Sequence, residues 1–165
     1  MGFTATGIST TTVTTDQQAP LGFVLTAPSA VSNGGLCEWI YIHSTPGLVA
    51  GEVVMKADGD ATYANLITGA AAVLNIRIVG VAQHVIAAGS YGFVLRKGVG
   101  EVGAADTAAD QANDPLIIAL GSSKGFGDPY DSGTAGDLGG VFAISSENAA
   151  ATVGALMTCT IDCRG

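Results

Sequence analysis

Short apolar runs separated by glycine-rich turns at roughly 8–12-residue spacing predict an all-β protein, mainly strand with at most short helices. Two further observations support this class. Glycine accounts for 24 of 165 residues, and many of them punctuate the apolar runs. No stretch offers the repeated amphipathic pattern of 10–15 residues that a doubly wound α/β fold needs. The expected architecture is a small β-sandwich or barrel. An extended N-terminal arm (1–19) is expected before a single β domain (20–165).

The arm is rich in threonine, and its large apolar residues after Met1 are only Phe3, Ile8 and Val13, too few for a core segment. It is expected to contact a neighbouring subunit through those three side chains. Residues 21–27 (LGFVLTA) read as the first strand, and Ser32-Asn33-Gly34-Gly35 as a turn. Residues 36–43 (LCEWIYIH) follow. Strand periodicity puts Leu36, Glu38, Ile40 and Ile42 on one face and Cys37, Trp39, Tyr41 and His43 on the other. Residues 48–56 make the next strand, and 60–72 a helical turn or a loop. The strands at 73–83 and 90–97 are joined by a turn at Ala88-Gly89. Residues 104–113 are alanine-rich and read as a short helix or a loop. Residues 116–120 form a short buried strand. The glycine-rich stretch 121–137 reads as a long loop, and the last strands are 138–145 and 153–162.

Composition narrows function. Hydrophobic residues make up 48%, enough for a core without metals or disulfides. Charged residues make up 12%, roughly half the usual share of about 25%. So little charge leaves a free monomer poorly protected against association, so part of the surface is expected to be covered by other protein. The formal net charge is −8, and among six basic residues only Arg96 and Lys97 are adjacent. No nucleic-acid partner is expected, because phosphate binding needs clustered positive charge. No apolar run is long enough to span a membrane as a helix. The first residues lack the basic start and apolar block of a signal peptide, so a cytoplasmic origin is expected. Cys37, Cys159 and Cys163 are an odd set and are expected as reduced thiols.

Three patterns imitate chemistry. Gly98-Val99-Gly100-Glu101-Val102-Gly103 matches G-x-G-x-x-G, but the next strand does not end in the acid that would hold a ribose. Gly121-Ser122-Ser123-Lys124-Gly125 matches the nucleophile elbow G-x-S-x-G. Asp128-Pro129 follows instead of a helix, and no histidine occurs after His84. Asp58, Asp60, Asp128, Asp131 and Asp137 lie among glycines, but at no calcium-loop spacing. They read as solvated turn residues. His43 and His84 lack an activating neighbour in sequence, and the single Trp39 reads as core or interface packing. No catalytic residue, no cofactor and no metal are expected.

One segment carries a family resemblance. Residues 80–102 read GVAQHVIAAGSYGFVLRKGVGEV: a G-V-A strand, a small-residue turn, then a Y-G-F-V run into a longer strand. This resembles a segment of small β-rich virion proteins of tailed phages. The run from Leu138 to Ala143 (LGGVFA), followed by an alanine-rich link and a last strand, is similar to the end of capsid decoration, or cement, proteins. The resemblance implies a structural, non-enzymatic virion protein that binds the outer capsid surface and stabilises the head. It implies the major capsid protein as partner, a homotrimer as the assembled state, and assembly in the host cytoplasm. The competing readings are another virion or surface module (fibre, tail or adhesion) and, less favoured, an enzyme or small-ligand binder.

Overall fold

The computed structural model describes residues 8–29, 31, 35–56, 63, 66–68, 78–105, 112–113, 115–118, 126–129, 141–147 and 152–163. Among them every regular element is a strand. In chain order these are β1 (Val24–Pro28), β2 (Leu36–Ser44), β3 (Val53–Lys56), β4 (Leu66–Thr68), β5 (Ile78–Val81), β6 (Ser90–Gly103), β7 (Pro115–Ile118), β8 (Gly127–Pro129), β9 (Ala143–Ser145) and β10 (Leu156–Asp162). The all-β class is therefore the fold. All ten belong to one antiparallel sheet, in the order β4-β3-β5-β6-β10-β9-β7-β8, with β2 also on β6 and β1 on β2.

The fourteen residues of β6 organise this sheet. Its first half, from Ser90 to Lys97, pairs with β2. Its second half, from Lys97 to Gly103, pairs with β10. The change of neighbour falls at a bulge: Leu95 faces Trp39 and Lys97 faces Glu38, so Arg96 is left over. A bulge bends the strand and increases its twist, which lets one strand serve two halves of a sheet.

Both faces of the first half are buried, by two separate clusters. Cys37, Trp39 and Tyr41 of β2 join Phe93 and Leu95 of β6 in one. Ile40 and Ile42 join Val94 in the other, with Val54 and Val79. The alternation expected along 36–43 is thus present, but its second face is not solvated. It is covered by Leu48, Ala82 and Ile86, with Val13 and Tyr63 packed at its margin. The first cluster also takes Val102, Leu116, Phe142, Met157, Cys159, Ile161 and Cys163. One core therefore joins the two halves of the sheet.

Several boundaries differ from those read in the sequence. The run 48–56 is strand only from Val53. Leu48 instead makes a single antiparallel bridge to Ile86, with N–H···O distances of 2.8 and 3.0 Å. The stretch 60–72 contains β4 rather than a helical turn, and the supposed loop 121–137 contains β8. Three-residue strands carry too little pattern to be seen; pairing with β3 and β7 creates them. The alanine-rich segment is described only at its ends. There Ala104 and Ala105 are buried, and Ala104 bridges Gly127 in parallel.

Candidate interaction surface

The arm is the first place to look for a contact with other molecules. Phe3 lies outside the described residues. Ile8 and Val13 are half-buried on the chain's own sheet. Ile8 packs on the larger cluster and Val13 on the smaller. Thr14 and Tyr91 exchange main-chain hydrogen bonds of 3.0 and 2.8 Å. The buried Tyr41 hydroxyl accepts a bond of 2.9 Å from the Gln18 N–H. Ser9 and Thr11 hydroxyls lie 2.9 Å apart, and the Thr12 N–H reaches the Ser9 carbonyl at 3.2 Å. Residues 8–19 therefore contact the chain's own sheet at these points. Two apolar residues suffice because each inserts at the margin of an existing cluster instead of building one. Sequence spacing carries no sign of such docking.

The glycine string at 98–103 is not a phosphate loop. It lies entirely within β6, so it has neither the turn nor the helix N-terminus that would hold a pyrophosphate. Its glycines serve close packing. A Cβ at Gly98 would overlap the Cys37 sulfur, one at Gly100 would overlap Leu95, and one at Gly103 would overlap the Phe126 ring. Beside them the Gln83 side chain acts as a strand surrogate. Its amide oxygen accepts the Glu101 N–H at 2.8 Å and its amide nitrogen donates to the Glu101 carbonyl at 2.9 Å. The serine motif at 121–125 and Asp58, Asp60, Asp131 and Asp137 lie outside the described residues. Among the described residues no three His, Cys, Asp or Glu side chains gather into a metal-binding group.

The histidines are not brought together. The His43 ring packs on Tyr91 at 4.6 Å between centroids. His84 has a buried Nε2 without a hydrogen-bond partner, and desolvation holds its pKa below the ordinary histidine value. Trp39 is a core residue whose buried Nε1 likewise has no partner.

All three cysteines are buried in the larger cluster, none of them in a disulfide. Burial and the neighbouring Asp162 carboxylate push the Cys163 thiol up to about 12, with Arg96 pulling weakly the other way. Its folded pKa exceeds its unfolded value of 9.0. The neutral thiol's contribution to stability is therefore intact below pH 9 and is lost as pH rises toward 12. Thermal melts at pH 8 and pH 10.5 should show a fall in melting temperature. Cys163→Ala should reduce that fall, and an undiminished fall in the variant would contradict the assignment.

What the described residues do expose is apolar surface and strand edge. Val24 and Leu36 are exposed on β1 and β2, with Leu36 at 73%. Val141, Ile144, Val153 and Leu156 are exposed on and beside β9 and β10. Among the described residues β1 pairs only with β2, and none of them pairs with its other edge. No helix is long and apolar enough to cross a membrane among the described residues.

No known family model matches the chain, and no curated protein matches it. Among solved structures, the chain is similar to the N base of the head fiber gp8.5 of bacteriophage phi29. The two share 20% sequence identity at a TM-score of 0.49, over 76% of this chain and 93% of that one.

Proposed function

We propose that the chain is a structural protein of a phage virion, a capsid decoration (cement) protein that binds the outer capsid surface. Its partners on this reading are the major capsid protein and further copies of itself, three by the family resemblance. The observation that carries the reading is where the resembling segment 80–102 sits. It contains the end of β5, the Leu48–Ile86 bridge and nearly all of β6, the strand on which both halves of the sheet are hung. The resemblance thus concerns the organising element of the fold. The scarcity of charge and the exposed apolar residues on two parts of the sheet agree with a protein that works by covering and being covered.

Electron microscopy of capsids assembled with and without the chain tests this. Added density on the outer shell is the expected result. Density confined to a fibre or the tail, or no binding, would overturn the cement reading. Removing residues 2–16 should weaken attachment if the arm takes part in it. Because Ile8 and Val13 pack on the domain's own clusters, the same truncation should also destabilise it by about 1–3 kcal/mol. An unchanged melting temperature would mean that the arm does not hold to the sheet in solution.

A further inference from the structure

We infer that the open edge of β1 is a self-complementary contact, at which two copies of this chain pair β1 against β1 in antiparallel register about Thr26. Such a pairing does not depend on the virion reading; it follows from the direction of the main-chain groups. The Tyr41 N–H bonds to the Phe23 carbonyl at 2.8 Å, and the Ser29 N–H to the Gly35 carbonyl at 2.8 Å. Between these two anchors the register is regular, with Leu25 opposite Trp39 and Ala27 opposite Cys37. Main-chain groups alternate along a strand, so those of Phe23, Leu25, Ala27 and Ser29 point at β2. Those of Val24, Thr26 and Pro28 point outward. Among the described residues no hydrogen bond takes the outward N–H of Val24 or Thr26.

This outward row is complementary to itself. With Thr26 opposite Thr26 of the second copy, each Thr26 N–H meets the other's carbonyl. Each Val24 N–H then meets the carbonyl of Pro28 of the second copy. The missing N–H of Pro28 leaves unbound only the Val24 carbonyl it would have reached. The side chains agree with that register. Val24, Thr26 and Pro28 form the exposed face of β1, so threonine would lie against threonine, a favourable cross-strand pair, and valine against proline, an apolar contact. Leu36, opposite Pro28 on β2, would extend the apolar strip.

Charge selects a second copy as the occupant. The chain carries −8 overall, which opposes approach of two copies through most faces, yet residues 17–36 contain no ionisable side chain. Natural open edges are usually guarded by lysine, by an inward charge or by a bulge. β1 has none of these, and its one proline sits at its last position. A closed two-fold contact is also the commonest way for a single chain to cover such an edge.

The test uses the full chain. Thr26→Cys places a thiol on the two-fold axis. Paired residues there lie about 5.5 Å apart, within disulfide range. The native cysteines are all buried, so the new thiol is the accessible one. Mild oxidation should convert most of the variant to a covalent pair on a non-reducing gel. Ala87→Cys, at an exposed turn position, should stay largely uncoupled. Thr26→Lys puts a cation opposite Glu38 within one chain and against a second cation across the axis. It should keep the melting temperature and halve the sedimenting mass, from two chains to one, or from six to three if another face builds a trimer. Coupling of Thr26→Cys no greater than that of Ala87→Cys would overturn the proposal. So would an unchanged mass for a folded Thr26→Lys. Should Thr26→Lys fail to fold, the cysteine pair decides alone.

Discussion

Replacing Gly98 with alanine should cost roughly 2–6 kcal/mol of stability, among the largest effects of any single methyl added to this chain. Two separate penalties act there. Gly98 has a φ of +125°, a backbone conformation that L side chains rarely adopt. The added Cβ would also overlap the Cys37 sulfur and press on the Cys37 backbone, which β2 and the larger cluster hold in place. Gly89 is the control. Its φ is +75° but nothing lies near its missing Cβ, so Gly89→Ala should cost only about 1–2 kcal/mol. Adding Cys37→Ala to Gly98→Ala should remove the overlap with the sulfur and recover part of the loss, leaving the backbone penalty and the close approach to the retained Cβ of residue 37. Chemical denaturation of the four proteins measures all of this. Equal stabilities for Gly98→Ala and Gly89→Ala would show that the bend at the bulge is not held as described.

Phe93→Ala should be the most damaging truncation, with a loss of about 3–5 kcal/mol. The side chain is fully buried in the larger cluster, directly opposite Tyr41 on β2. The Phe93 and Tyr41 rings meet at 5.0 Å between centroids with planes tilted 59°, and Tyr41 in turn stacks on Tyr91 at 6.2 Å. At about 2–4 °C per kcal/mol for a chain of this size, the melting temperature should fall by roughly 6–20 °C. A second readout follows from connectivity. The Tyr41 hydroxyl holds the Gln18 N–H, so the cavity left by Phe93 should speed hydrogen exchange at Gln18. A melting temperature within about 2 °C of the native one would contradict the packing.

Much of the fold is legible in residue order because strand periodicity is a local property. The two faces of 36–43 can be read from side-chain alternation alone, and the structure sends Trp39 and Tyr41 to one cluster and Ile40 and Ile42 to the other. Turns at Gly35 and Gly89 are legible because asparagine and glycine tolerate left-handed backbone. The emptiness of the glycine string could be argued from the missing acid after the next strand. Its actual use, as the pairing stretch of β6 beside β10, could not, since Gly98, Gly100 and Gly103 are required by side chains that arrive from residues 37, 95 and 126.

The interaction surface was less legible than the fold. Phe3, Ile8 and Val13 stand out as the sparse apolar residues of a threonine-rich stretch, and spacing alone assigns such residues to an external partner. The sheet's own two clusters take Ile8 and Val13 at their margins, which no local pattern reveals. The edge of β1 is likewise invisible in sequence, where 21–27 looks like any other strand. Residue order by itself determined that this chain is β throughout its readable segments, poor in charge and punctuated by glycine, because alternation, turn chemistry and composition are properties of neighbours along the chain. Only the tertiary structure decided which strands have both faces buried, where the glycines must be bare and which edge of β1 stays unpaired among the described residues, because each depends on groups brought together from positions tens of residues apart.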